Sequence, residues 1–488
     1  MAKPKIITLV SCIFLTIGGF LFGYDSGIIS STISQPHFIN YFESPSDKVA
    51  GAIVSSFTGG ATLGSLFISY FNDKFGRKMS VFVGSAIATF GCALQAGAVT
   101  IAMLIAGRAI AGFAVGQLTA TIPMHCAEIA SSKYRGAMSG LLQWMLSWGF
   151  FAAQWIGYGS TFHNNAFQWR FPLAFQCVPS LALAIGIWFI AESPRWLMEN
   201  DRQEEARAVL QKLHGGDGNA ELVELEFREI YDAVIAEQTH TVKSWSAIIS
   251  KPSWRKRLLL GAGVQAFGQL SGVNVINYYG PRIYASLGID NTTALMIIGI
   301  SGSLSIIYAT IGLAVLDRIG RVKPLIFSAT GCGLALVVNA ALSQHLDESN
   351  QNQLRAMVAM NFVFSLFFTM TGIVSWVYPA EIFPLTIRAR GNSLSTFTNW
   401  SLNLLFAQIS PICFADIGFK YFYVFFVCNV VAAVCYIFFY PETKGRTLEQ
   451  LDELFGDQLV PHALKDPENV ASTGEKASAL KVISINKL

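Results

Sequence analysis

Charges of opposite sign inside apolar segments are the first feature that could do chemistry. The stretch GGFLFGYDSGIIS, Gly18–Ser30, is apolar and small-residued apart from Asp25. An ionised aspartate at the centre of a bilayer costs at least about 2.5 kcal/mol on insertion scales, so such groups pair or carry protons. Arg108, in AGRAIAG, and Arg282, in NVINYYGPRIY, are the two cations that fall within apolar runs. A second set is polar but uncharged. Gln143, Ser147 and Gln154 are spaced to share one helix face. Asn399 and Asn403 stand one turn apart with Trp400 beside the first, Gln269 and Asn274 flank Ser271-Gly272, and Trp376 follows Gly372. Amides donate and accept toward the hydroxyls of a polyhydroxylated ligand, and aromatic faces cover its C–H side. The same amides also serve in bilayers as hydrogen-bond glue between helices, and the residues alone leave both readings open. A third set places acids with bases in polar loops: Asp73, Arg77, Glu128, Arg135, Glu192 and Arg195, then Asp317, Arg321, Glu381, Arg388 and Glu442. These put both signs at helix ends near a membrane face, where charges set topology from the surface.

Such residues need elements to position them. The 488-residue chain is 52% hydrophobic and 13% charged, against about 25% charged in a soluble domain. Apolar runs of about 20 residues, enough to cross about 30 Å of hydrocarbon, recur along almost all of it. Twelve spans are expected, near 6–30, 50–71, 79–98, 101–125, 137–160, 171–190, 257–282, 293–315, 324–343, 356–378, 391–414 and 418–440. The polar stretch Glu192–Arg257 divides them six and six, and within it RQEEARAVLQKL has helical apolar spacing with alternating charge. Lys and Arg gather in NDKFGRK, AEIASSKYRG, this linker, DRIGRVK, FPLTIRARG and the tail after Pro441, while the opposite loops hold only Lys48, Arg170, Arg355 and Lys420. Both termini and the linker are therefore expected in the cytoplasm. Asn291 of NTT would then be an external glycosylation sequon, whereas Asn399 of NWS lies within a span. The opening MAKPK followed by an apolar run reads as a retained first helix rather than a cleaved signal.

Several classes are set aside. The net charge of +3 is small and spread out, which points to no nucleic-acid partner. The eight Cys sit in apolar segments without CxxC or metal-ligand spacing, so no metal is expected. No HExxH, nucleophile elbow or phosphate-binding glycine loop is present, so neither an enzyme nor a cofactor is expected.

The chain also repeats itself. DKFGRK at Asp73–Lys78 returns as DRIGR at Asp317–Arg321. AEIASSKYRG, with Glu128 and Arg135, returns as AEIFPLTIRARG, with Glu381 and Arg388, and AESPR at Glu192–Arg195 is answered by PETKGR at Pro441–Arg446. Three paired motifs at matching loop positions imply two homologous six-helix bundles with a substrate site between them near the midplane.

On these motifs the chain resembles the sugar porter family of the major facilitator superfamily, in particular its fungal and plant-type monosaccharide transporters. The resemblance runs from about Thr16 to Phe455 and rests on GYD, D-x-x-G-R-K, a G-R twenty residues before a Glu, E-x6-R-G, E-S-P-R, Q-L-S-G-V-N and P-E-T-K-G-R. It implies an all-α membrane protein of twelve transmembrane helices with the major facilitator fold. Its parts would be an N-terminal bundle at 1–191, a cytoplasmic linker with short helices at 192–256, a C-terminal bundle at 257–442 and a cytoplasmic tail at 443–488. It further implies that Gln143, Gln269, Asn274, Trp376, Asn399 and Asn403 contact sugar. Phe22 and Trp400 would line the pocket, and Tyr278 joins the substrate-binding set. The acid–base groups of the loops would lock the inner side while the site is open outward.

The resemblance also supplies a partner for Asp25, since in proton-coupled sugar porters an Asp of the first span faces an Arg of the fourth, here Arg108. The function implied is transport of a monosaccharide by alternating access with proton symport. Asp25 takes up a proton from outside and releases Arg108, the first bundle binds sugar and closes, and re-pairing inside accompanies proton release. The alternative is a facilitative uniporter in which Asp25 and Arg108 are a permanent structural pair. A non-transporting sugar sensor is less favoured, since only about 48 residues follow Tyr440. Three positions depart from the family pattern: Gly268 where a first Gln is common, Ser305 where an Asn is frequent, and Phe368 where an acid or amide sometimes stands. These leave the sugar open among hexose, pentose, polyol and sugar acid. Arg282 either snorkels to the outer interface or helps to bind an anionic sugar acid. A monomer in the plasma membrane, with monosaccharide, proton and lipid bilayer as partners, is the expectation.

Overall fold

A computed structural model describes residues 6–131, 134–215, 220–238, 245–276, 291–344, 350–446 and 450–456. Among them the regular structure is helical throughout, with no strand. A chain this apolar has to satisfy its backbone within each segment, and helices do so.

Nine helices among the described residues are long and apolar enough to cross a membrane. One of them, Asp47–Ala96, holds two spans: at Gly76, with φ of +86°, the helical backbone breaks. Gly60 on one side of the break packs against Ala109 and Gly91 on the other side packs against Ala111, so both halves lie on the same stretch and the chain doubles back between them. Two more helices, Arg135–Ser160 and Arg388–Ile417, have the length but carry the amides Gln143, Gln154, Asn399 and Asn403. That makes twelve spans. In chain order they are Ile6–Ile33, residues 47–75 and 77–96, Ile101–Ile129, Arg135–Ser160, Phe167–Phe189, Pro252–Ile276, Asn291–Ile319, Val322–Gln344, Gln351–Ile382, Arg388–Ile417 and Tyr421–Phe439. Several begin earlier than hydropathy alone suggests, because polar capping residues extend the helix past the hydrocarbon. Pro252 opens the seventh span, and Asn350 caps the tenth by accepting from the N–H groups of Asn352 and Gln353.

The spans form two six-helix bundles that meet along the second and eleventh spans and along the fifth and eighth. Ser393 donates to the Ser65 carbonyl at the first contact, and Trp144 and Trp155 donate to Thr310 and Ser303 at the second. Large apolar side chains on the outer surfaces, among them Phe438, Phe439, Leu181 and Ile185, stay exposed in the protein and face the lipid. Between the sixth and seventh spans four short helices, Pro194–Glu199, Gln203–His214, Ala220–Gln238 and Trp245–Ser250, form the linker. The first three share a small core that includes Trp196, Leu210, Val223 and Phe227.

Candidate functional site

Asp25 and Arg108 lie on the first and fourth spans and are both buried. Arg108 Nη1 donates to Asp25 Oδ1 at 2.7 Å and its Nε to the Ile53 carbonyl at 2.7 Å, while its guanidinium rests over the Phe57 ring. The pair thus ties three spans together. Asp25 Oδ2 has no hydrogen-bond partner among the described residues.

A cavity of about 560 Å³ lies between the bundles at mid-height. Phe22, Gln143, Gln269, Asn274, Trp376, Asn399 and Asn403 line it, so the structure brings seven of the nine expected binding residues to one space. The amides come from the fifth, seventh and eleventh spans, and a backbone break positions those of the seventh. The seventh span stops being helical at Leu270, and Gly272 takes φ of +95°, which a glycine adopts at low cost, so Asn274 swings back toward Gln269. Asn274 Nδ2 then donates to Gln269 Oε1 at 2.6 Å, Asn403 Nδ2 to Asn274 Oδ1 at 3.4 Å, and Asn399 Nδ2 to Gln265 Oε1 at 2.6 Å. Two buried acceptors on the cavity wall, Asn399 Oδ1 and Ser26 Oγ, have no partner among the described residues.

Trp400 differs from expectation. It is fully buried against Phe22 and Phe57, donates to Thr119 Oγ1 at 3.2 Å, and stands behind the cavity wall rather than in it. Tyr278 and Arg282 lie outside the described residues. Gln265 was missed by the sequence reading, although it precedes Gln269 by one helical turn and so shares its face.

The face that carries the linker holds two copies of one arrangement, one in each bundle. Arg77 makes a two-pronged contact with Glu128, Nε and Nη2 both at 2.9 Å, and Arg321 does the same with Glu381 at 3.1 and 2.7 Å. Glu192 and Glu442 act differently. Each accepts from backbone N–H groups at a helix start: Glu192 from Arg77, Lys78 and Ser193, and Glu442 from Arg321, Val322, Thr443 and Lys444. A carboxylate at such a site meets both unsatisfied donors and the positive end of the helix dipole. Gly76 and Gly320, with φ of +86° and +105°, open each cradle, and a Cβ on either would stand 2.5 Å from the carboxylate it faces.

Some contacts on this face cross between the bundles. Arg388 Nη1 stands 3.5 Å from Glu128 Oε1, the Ala137 N–H donates to Asp317 Oδ2 at 3.1 Å, and Arg135 Nη1 donates to the Arg446 carbonyl at 3.4 Å. Arg195 is buried here, whereas Asp73 is exposed and contributes its carbonyl to Trp196 Nε1. Glu199, which the motifs did not single out, lies 3.9 Å from Arg77, and burial lifts its carboxyl up to about 7 against the pull of that guanidinium.

His214 ties the linker to the fourth span. One ring nitrogen meets Glu226 at 2.8 Å and the other the Ile129 carbonyl at 3.0 Å, while Thr8 Oγ1 donates to the neighbouring Leu213 carbonyl. Burial pulls the imidazole pKa down, but the hydrogen bond and charge of Glu226 outweigh it and the net shift is upward from 6.5. The contribution to docking is therefore complete below that value and is lost as the pH rises through the raised pKa. Hydrogen exchange should show residues 203–214 better protected at pH 6 than at pH 8. His214→Ala should remove about 1–2 kcal/mol of that protection at the lower pH and flatten the pH dependence.

The comparisons with known proteins agree with this architecture. The model of the family described as "Sugar (and other) transporter" matches residues 11–455. The chain is 37% identical over 475 residues to the MFS-type transporter criB of Aspergillus cristatus, covering 96% of this chain and 98% of the relative. It is 33% identical to a high-affinity glucose transporter of Kluyveromyces lactis, covering 93% and 85%. Its fold matches that of the proton:xylose symporter XylE bound to 6-bromo-6-deoxy-D-glucose with a TM-score of 0.83 at 23% identity, covering 93% of this chain and all of the other.

Proposed function

The chain belongs to the sugar (and other) transporter family, and from that premise we propose that it carries a monosaccharide across the membrane by alternating access, in symport with a proton. The observation that carries the sugar reading is the cavity between the bundles. Its chained amides and indole are paired with two buried acceptors, Asn399 Oδ1 and Ser26 Oγ, that sugar hydroxyls would satisfy. The K. lactis relative, named as a glucose transporter, supports a hexose.

Proton coupling is supported by Asp25, which offers one oxygen to Arg108 and keeps the other free to bind a proton. Protonation cancels the charge that holds Arg108 and so loosens the link between the first and fourth spans. The contacts that cross between the bundles on the linker face, placed in the cytoplasm with both termini, are the element that must open for sugar release. In this reading 1–191 and 257–442 are the moving bodies, 192–256 the linker and 443–488 the tail of a plasma-membrane monomer. The second reading, a facilitator with a permanent Asp25–Arg108 pair, is favoured by the bond that also fixes Arg108 to Ile53.

Uptake of labelled hexoses and pentoses in a transport-null cell, at acid and neutral external pH with and without a protonophore, tests the proposal. Concentrative uptake that collapses with the protonophore is expected. Uptake that only equilibrates and ignores pH would assign the facilitator.

A further inference from the structure

The cavity continues beyond the amide wall. A second compartment of about 950 Å³ extends from it away from the linker face, along Gln154 of the fifth span, Ser301 of the eighth and Asn361 of the tenth. The two compartments share Gln143, Leu146, Phe150, Val273 and Phe368; the last four give the waist between them a largely apolar surface, and Gln143 adds one amide to it. The outer compartment is the larger of the two, and a sugar ring held on the amide wall leaves room there.

The outer compartment has hydroxyls on its wall, but most of their donors are spent. Ser147, Ser305, Ser365 and Thr369 each donate to a carbonyl of their own helix, at 2.7 to 3.2 Å. Ile276, Ile298 and Phe364 complete that wall with apolar surface. In the inner compartment Gly268 brings no side chain to the wall. The hydroxyls of the outer wall are thus largely satisfied within their own helices, and apart from the amides Gln143, Gln154 and Asn361 the surface leading outward is largely apolar.

We propose that the substrate is a monosaccharide bearing an apolar substituent, an aryl or alkyl glycoside, with its ring on the amides of the inner compartment and its substituent across the Phe150–Phe368 waist. This deepens, and rests on, the reading of the cavity as a sugar site. Desolvating a phenyl group at the waist gains affinity that a free sugar lacks, while the ring hydroxyls keep the wall of amides paired.

The full chain, reconstituted in proteoliposomes, should be tested with free glucose, galactose and xylose and with their methyl and phenyl β-glycosides. Binding is read by tryptophan fluorescence and transport by uptake of the labelled compounds. For at least one sugar the phenyl glycoside should bind at least about tenfold more tightly than the methyl glycoside and should be transported. Phe368→Asn should abolish that preference and Phe368→Leu should retain it. Equal binding of free sugar and phenyl glycoside would overturn the inference while leaving the sugar reading intact, as would a phenyl glycoside that binds and blocks without crossing. Failure of every sugar and glycoside to bind a folded protein would overturn the sugar reading itself.

Discussion

Asp25→Asn should abolish accumulation of substrate while leaving exchange across the membrane intact. The amide keeps the shape of the carboxylate and still accepts a hydrogen bond from Arg108 through its oxygen, so the contact observed at 2.7 Å is weakened rather than deleted. What the amide cannot do is alternate between a charged form that holds Arg108 and a neutral form that releases it. In proteoliposomes with an imposed proton gradient, the accumulation ratio should fall from well above one to about one, while counterflow persists. Arg108→Ala should behave quite differently. It leaves a buried carboxylate without its cation, a change that typically costs about 3–5 kcal/mol, and loss of folded protein in a thermal unfolding assay is the expected result. Combining it with Asp25→Asn should restore folding without restoring accumulation, because the double variant has neither a buried charge to solvate nor a proton site. If Asp25→Asn accumulates substrate as the unaltered chain does, the proton is carried elsewhere.

Some of this arrangement was legible in the sequence and some was not, for physical reasons. The repeats DKFGRK and DRIGR predicted matching clusters, and the structure places Arg77 with Glu128 and Arg321 with Glu381 in the same two-pronged geometry. Their spacing did not reveal that Glu192 and Glu442 would bind backbone N–H groups. That outcome depends on how a glycine of positive φ opens the start of the next helix. The amides of the cavity stood out because polar side chains are scarce in apolar runs. Trp400 was misplaced by one layer because a span buried on several faces gives no periodic signal of which face meets the cavity. Gln265 and Glu199 escaped notice for a related reason. Each acts through a neighbour, Asn399 or Arg77, that approaches from a different helix, and no local spacing records that approach.

Glu128→Gln should shift the protein toward the state open on the linker face. The carboxylate is shared: Arg77 of its own bundle binds it at 2.9 Å and Arg388 of the other bundle reaches it at 3.5 Å, with all three side chains almost fully buried. Truncating the charge of a buried pair typically costs about 3–5 kcal/mol, but most of that loss falls on the contact with Arg77, which lies within one bundle and is present whichever side is open. Glu199, 3.9 Å away, is placed to take over part of the charge on Arg77. Only the contact with Arg388 spans the bundles and so favours the closed face over the open one. That part is worth about 1–2 kcal/mol, a shift of roughly tenfold in the ratio of the two states. Spin labels introduced at the exposed positions Lys74 and Lys323 should report it as a longer distance gaining population. Glu205→Gln, which breaks the exposed pair with Arg202, should leave that distribution unchanged, since solvent screens such pairs. A distribution equally unmoved by Glu128→Gln would mean that the contacts of Asp317 with Ala137 and of Ser393 with Ser65 hold the linker face closed without help from the shared carboxylate.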